Sequence, residues 1–357
     1  MSISVWILKN FKHPLSLHKK IGIGMFTCII FISIIKLTFL KIQYAESDYT
    51  DGNFRVLGLN IPSKLDFAGE LVPQNDYEIK ESLEQEFFAN KSWKNSSLIL
   101  FQKAQKWFPL IEPILKKEGV PDDFKYIAVI ESHLSNVISP MGAVGFWQLM
   151  PNTAQGYGLV VNQEVDERYD VEKSTLVACK HFKDAYRYFH NWTLAAAAYN
   201  VGIGGIQKAL KKQSTDNYYD LLLNNETGSF VYRILAFKTL LSNPKHFGIT
   251  TKFKKSANFP SFEIVKVDSS ITNLSAFAKH LKTNVITLKT FNAWLTGNKL
   301  SNPEKHTYQF KIPKNKNIDL SLYFNDIYPQ EKKADTTIKA LMVDTLRVGS
   351  DSISVIK

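Results

Sequence analysis

The chain has 357 residues, 45% of them hydrophobic and 22% charged, with a formal net charge of +11 and two cysteines. That is an ordinary globular composition and enough chain for two folded domains. A disulfide framework is excluded, and no His/Cys cluster stands at metal-ligand spacing, so the domains must be held by their apolar cores.

Residues 1–20 hold Lys9, Lys12, Lys19 and Lys20 and no acid. Residues 21–35 are apolar, and Leu37 to Leu40 continue the run after Lys36. A span over 21–41 is about 20 residues, enough for roughly 30 Å of bilayer if Lys36 snorkels. The positive start predicts a cytoplasmic N-terminus and an exported remainder. A cleaved signal peptide is the alternative. Gln43-Tyr44-Ala45 makes a poor small-x-small site, which favours an uncleaved signal-anchor. Cys28 lies inside the apolar run and not after it, unlike a lipoprotein cysteine. Residues 46–94 read as an acidic linker and docking segment, with some helix over 77–90.

The stretch from Phe124 to Leu134 follows as a helix, started by Pro121, Asp122 and Asp123 with acids at its positive end. Phe124, Ile127, Ala128, Glu131 and Leu134 share one face. A carboxylate in an apolar stripe is expensive to bury ionised, so the pKa of Glu131 is expected to rise, as a general acid requires. The plain alternative is a glutamate at a helix edge, paired with a neighbour. A dense run comes next: Ser139, Gly142, Ala143, Gly145, Phe146, Trp147, Gln148 and Met150. Glycines let backbone approach a ligand, and Gln148 offers both donors and an acceptor. In residues 192–205, four alanines allow close helix packing, and Tyr199 and Asn200 stand at the helix end. Residues 226–244 carry Phe230, Ile234, Phe237 and Leu241 at helical spacing. Cys179 reads as a small buried apolar residue.

These segments together resemble the catalytic domain of bacterial lytic transglycosylases of the soluble-lytic-transglycosylase type, and within them the membrane-bound lytic murein transglycosylase D group. The resemblance covers about residues 95–250. It rests on Glu131-Ser132, on Ser139 through Met150, on Ala197-Ala198-Tyr199-Asn200 with Gly202, and on Glu226-Thr227. Residues 67–73 look like the lead-in segment of the same group. The resemblance implies a mainly α, lysozyme-like helical domain that cleaves the β-1,4 bond between N-acetylmuramic acid and N-acetylglucosamine. It implies Glu131 as acid and then base, a 1,6-anhydro end on the product, and neither metal nor cofactor. The implied substrate-binding set is Ser132, Ser139, Gly142, Gln148, Met150, Tyr199 and Asn200, of which Gln148, Tyr199 and Asn200 would bond sugar groups or orient Glu131. Core packing is the competing reading for Met150 and Tyr199. For Glu226 a helix-start role is preferred to catalysis. One departure stands out: where the family carries a tyrosine four residues after the glutamate of its Glu-Thr pair, this chain has Phe230, and Tyr232 faces elsewhere on the helix.

Toward the C-terminus, Phe262 to Val267 alternates as a strand. Leu274, Phe277, Ala278 and Leu281 form one helical stripe, and Leu288, Phe291, Asn292 and Leu295 a second. A further strand stops at Pro313. This small βααβ unit over 260–315 is similar to a LysM domain, a peptidoglycan-binding module. The usual Gly-Asp-Ser-Leu is Val267-Asp268-Ser269-Ser270 here. Residues 316–357 are expected as a loose polar tail with weak strand character. Between Lys252 and Lys316 there are twelve lysines and three acids. This basic balance suits an anionic polymer or a membrane surface. The export signal argues against nucleic acid. Peptidoglycan glycan strands and the inner membrane are the implied partners, and the cell envelope, with the catalytic domain in the periplasm, the implied location. Deleting 260–357 would then weaken wall binding more than it slows cleavage of small fragments. Two other readings stay open: a non-catalytic wall-binding scaffold, and a hydrolytic muramidase. The latter needs a second carboxylate to activate water, and neither Glu112 nor Asp166 is an obvious candidate.

Overall fold

The structure is a computed structural model that describes residues 54–56, 59–89, 93–244, 259–315, 317–327 and 330–331. The proposed membrane span over 21–41 lies outside them, and no described helix is long and apolar enough to cross a membrane. The chain divides into two units, 1–63 and 64–357. The described part of the first is a short antiparallel pair, β1 (Phe54–Val56) and β2 (Leu59–Ile61).

The second unit is mainly helical, as the motifs implied. It opens with the hairpin β3 (Asp66–Phe67) and β4 (Glu70–Leu71), in which Phe67 faces Glu70. Both turn residues, Ala68 and Gly69, have positive φ. That is the twist a two-residue hairpin turn needs, and alanine adopts it at some cost. Helix α1 (Tyr77–Ala89) follows, then the 26-residue α2 (Trp93–Glu118), which runs through Pro109 and Pro113.

The Glu131 segment does not start as one helix. Asp122–Phe124 form a 3-10 turn before α3 (Lys125–Ser132). The acids there serve side chains: Asp122 and Glu112 both pair with Lys125, and Asp123 pairs with Lys238. The helix is also not amphipathic. Lys125, Tyr126, Val129 and Ser132 are buried along with the expected apolar face. In α3 only Ile130 and Glu131 escape full burial.

Short strand β5 (Val137–Ile138) leads to α4 (Pro151–Gly156). Then come α5 (Val171–Phe189), α6 (Trp192–Val201), α7 (Ile203–Gln213) and α8 (Asn225–Ser242). Asp170, Asn191 and Asn224 cap α5, α6 and α8, each accepting from backbone N–H groups that the first turn leaves orphaned. The four alanines of α6 are fully buried. Small side chains there let the helix backbone sit close to its neighbours. Cys179 is buried and free, as expected.

The C-terminal module has the expected βααβ order: β6 (Phe262–Val267), α9 (Leu274–His280), α10 (Val285–Phe291) and β7 (Tyr308–Pro313). The strands pair antiparallel from Phe262 opposite Pro313 to Val267 opposite Tyr308. Asn292 ties the second helix to the sheet. Its amide donates to the Lys311 carbonyl at 3.0 Å, and its oxygen accepts from the Lys311 N–H at 2.8 Å.

Of the residues expected as a loose polar tail, the described ones, 317–327 and 330–331, are folded against the catalytic domain. Helix α11 (Ser321–Ile327) buries Tyr323 and Asp326. Asp326 accepts from the Trp107 indole at 3.1 Å and pairs with Lys103 and Lys106 on α2. Strand β8 (Gln330–Glu331) pairs parallel with β5. The composition reads as polar because the paired charges of this segment are indistinguishable, in sequence, from solvated ones.

Candidate active site

Glu131 stands at the end of α3, where His133 and Leu134 turn the chain with φ of 49° and 54°. Next to it Ser132 is buried. Its hydroxyl donates to the carbonyls of Ala128 at 3.0 Å and Phe146 at 2.9 Å. Those bonds engage the side chain in a joint between Glu131's helix and the loop opposite. The Ser132 hydroxyl, expected among the sugar contacts, is thus bonded within the protein.

That loop is built by its own backbone. Ser139 caps a turn: its Oγ accepts from the Ala143 N–H at 2.9 Å and its N–H donates to the Ala143 carbonyl at 2.8 Å. Val144 and Leu149 exchange backbone bonds of 3.1 and 3.0 Å. Gly145 is at φ 85°, and a Cβ there would lie 2.3 Å from the Arg168 carbonyl oxygen, so only glycine fits. Gln148, itself at φ 48°, donates from Nε2 to the carbonyls of Val137 at 3.0 Å and Gly145 at 2.9 Å. Its Oε1 is buried and accepts from no group among the described residues. The amide donors expected for sugar are thus used to set the loop, and the oxygen is left to accept. Gly142 sits at φ 83° with its carbonyl turned to Arg168, and Met150 is 41% exposed just before α4. Trp147 is fully buried, its indole donating to Thr175 at 2.8 Å.

From α6, the Tyr199 hydroxyl donates to the Trp147 carbonyl at 2.6 Å. Burial pushes the Tyr199 hydroxyl well above its ordinary pKa, and the nearby Glu131 carboxylate pushes it further. Tyr199 is therefore a neutral donor close enough to Glu131 to feel its charge. Its ring rests on Phe182 and His181, at 4.8 and 5.2 Å. Burial pulls the His181 imidazole below its ordinary value against a smaller upward pull from Asp184. Asn200 belongs to a separate small network: its oxygen accepts from the Thr227 hydroxyl at 2.8 Å, and its amide donates to Glu226 at 3.3 Å. Glu226 lies in the first turn of α8, where a carboxylate favours the helix dipole. Phe230 is buried, and Tyr232 packs toward Tyr218 and Tyr219.

The two carboxylates weighed for hydrolysis are both engaged elsewhere. Glu112 pairs with Lys125 at 2.7 Å, at the far end of α3. Asp166 is buried in a fork with Arg168.

Two supports escaped the sequence reading. Arg168 donates to the carbonyls of Gly142 at 2.9 Å and Leu149 at 3.0 Å, gripping both ends of the Gln148 loop. Glu70, from the lead-in hairpin, accepts from the backbone N–H groups of Trp192 and Thr193 at 2.6 and 2.8 Å, at the start of α6. Only the match of residues 67–73 to the lead-in segment hinted at the second, and no local signal pointed to the first.

Residues 109–222 match the Transglycosylase SLT domain, and residues 263–316 match the soluble lytic transglycosylase C-terminal LysM-like domain. Glu131, the loop through Met150, Tyr199 and Asn200 fall inside the first match; Glu226 and Phe230 fall outside it. The membrane-bound lytic murein transglycosylase D proteins of Escherichia coli strains K12 and CFT073 are each 30% identical over 256 residues, 67% of this chain and 54% of the relative. The chain thus spans about half the length of the curated relatives it matches. Helices around a half-buried glutamate, the glycine loop, the Tyr199-Asn200 pair and the appended βααβ unit agree with these matches: the chain carries a transglycosylase SLT domain followed by a LysM-like domain of the soluble-lytic-transglycosylase type.

Proposed function

We propose that the protein is a peptidoglycan lytic transglycosylase. The observation that carries this reading is the placement of Glu131, half-buried at the end of the largely buried α3, beside a loop that Ser132 ties to α3 and Tyr199 ties to α6. Glu131 protonates the glycosidic oxygen between N-acetylmuramic acid and N-acetylglucosamine as general acid. The substrate's own 2-acetamido oxygen stabilises the oxocarbenium-like centre. Glu131 then takes the proton of the C6 hydroxyl, which closes the 1,6-anhydro ring with no water added. Use of one carboxylate in two roles fits a site where Glu112 and Asp166 are engaged elsewhere. Tyr199 and Gln148 hold the wall of the site beside Glu131, through the Trp147 carbonyl and the Val137 and Gly145 carbonyls respectively, the Ser139 turn faces the sugar, and Met150 and Gly142 border the cleft. The LysM-like module and the basic C-terminal third support glycan strands as the partner. The apolar run over 21–41 supports an inner-membrane anchor with the enzyme in the periplasm.

The test is digestion of purified peptidoglycan by the full chain in detergent, with products weighed by mass spectrometry. Fragments ending in 1,6-anhydro-N-acetylmuramic acid are expected, and Glu131→Gln should abolish them while folding and wall binding persist. Reducing ends, one water heavier, would mean hydrolysis. Binding without cleavage by the parent protein would mean a scaffold.

A further inference from the structure

The C-terminal module shares its core with the catalytic domain. Val165, from the loop before α5, is 1% exposed and lies within the module's cluster of Val267, Leu274, Leu288, Leu295 and Phe310. Val165 pairs with Leu295 as a β-bridge. Around it the contacts are main-chain and short. The Glu164 carbonyl accepts from the N–H groups of Thr296 at 3.0 Å and Gly297 at 3.1 Å. The Glu164 carboxylate accepts from the N–H and the hydroxyl of Ser301 at 2.6 and 2.8 Å. A Cβ on Gly297 would stand 3.1 Å from the Glu164 Cα, so the two backbones are nearly in contact. A tethered wall anchor would need none of this.

The same loop continues into the active site. The Asp166 N–H donates to the Trp294 carbonyl of the module at 2.7 Å. Its carboxylate accepts from Arg168 Nε at 2.9 Å and Nη2 at 2.7 Å. Arg168 spends its remaining nitrogen, Nη1, on the Gly142 and Leu149 carbonyls. One chain of bonds therefore runs from the module's backbone, through one buried ion pair, to both ends of the loop that carries Gln148. A planar guanidinium held by a fork has little freedom, so displacing Asp166 moves the groups it grips.

We infer that the LysM-like module is a working support of the active-site loop, with Asp166 and Arg168 as positioning residues. This rests on the transglycosylase reading for its catalytic consequence but not for its structural one. The module then matters for substrates too small to reach any second binding site, opposite to what a separable wall anchor would give.

The experiment pairs hydrogen exchange of the full chain with turnover of a short soluble glycan. Gly297→Val wedges the docking contact without touching the loop; Asp166→Asn keeps the N–H to Trp294 and loses the charged fork. Both are expected to raise exchange at the Val144, Gly145 and Leu149 amides. Both should lower kcat by about ten-fold or more with KM within about two-fold, since small misplacements of positioned groups cost rate before binding. Glu164→Ala, which removes the Ser301 bonds and the Lys299 ion pair but keeps the Glu164 carbonyl, is the second variant should Gly297→Val fail to fold, and the same loop exchange is expected. Lys266→Ala, on the module's sheet, is the control and should change neither. Exchange at Thr296 and Gly297 that rises while the loop amides and kcat stay unchanged would overturn the inference. A parent protein that cleaves nothing, with the loop amides still responding, would overturn the transglycosylase reading and leave the coupling standing.

Discussion

Removing the Glu70 carboxylate should loosen the active-site helix α6 from a distance. Glu70 accepts from Trp192 N–H, Thr193 N–H and the Thr193 hydroxyl, the last at 2.6 Å. Asn191 holds only the next amide, Leu194, at 2.7 Å. In Glu70→Ala, two first-turn amides and the Thr193 hydroxyl lose their acceptor, and the helix loses a carboxylate at its positive end. Each orphaned donor costs about 1–3 kcal/mol if water stays out, and the dipole contact up to about 2 kcal/mol. Glu70 is half-buried, so water recovers part of this, leaving about 2–4 kcal/mol. For a unit this large that is a fall in Tm of roughly 5–10 °C. Because α6 carries Tyr199 and Asn200, turnover should fall as well. Calorimetry on Glu70→Ala, Glu70→Gln and Leu71→Ala reads the effect. Glu70→Gln should be intermediate, since it keeps an acceptor and loses the charge. Leu71 is 75% exposed, so Leu71→Ala should be near neutral. A Glu70→Ala protein melting within about 2 °C of its parent would refute the argument, because donors that cost nothing to orphan were never capped.

Other perturbations probe the loop and its supports. Gly145→Ala forces a Cβ against the Arg168 carbonyl at positive φ and should cost about 3–5 kcal/mol; a variant with parental Tm would show that the loop can shift at no cost. Tyr199→Phe leaves the Trp147 carbonyl without its donor and Glu131 without its neighbour, so kcat should drop by about 10–100-fold with folding retained. Unchanged kcat would remove Tyr199 from the site. His181 has a depressed pKa from burial, so its share of stability is full above its unfolded value, about 6.5, and is lost as pH falls through the folded value. Tm should therefore drop between pH 7.5 and 5, and less steeply in His181→Phe, as thermal melts at several pH values would record.

The motif residues and the βααβ unit were legible because their signals are local. Apolar spacing, strand alternation and asparagine or aspartate caps act over a few residues, and physics over that range depends on the chain alone. Phe262 to Val267 forms the strand its alternation predicts. Glu131, Gln148 and Tyr199 could be singled out because their motifs lie in order along the chain. How they are held could not be read this way. Ser132, placed among the sugar contacts by its motif, turns inward because a carbonyl fourteen residues on offers it a partner.

What the sequence determined by itself is the set of elements and the residues that carry the chemistry. Tertiary structure decided which surfaces meet. Glu70 and Trp192 are 122 residues apart, Arg168 and Gly142 are 26, and Asp326 and Trp107 are 219. In sequence, a carboxylate that will cap a distant helix looks the same as one left in water. The difference arises only when burial removes the water and a fixed partner replaces it, and that requires the folded core.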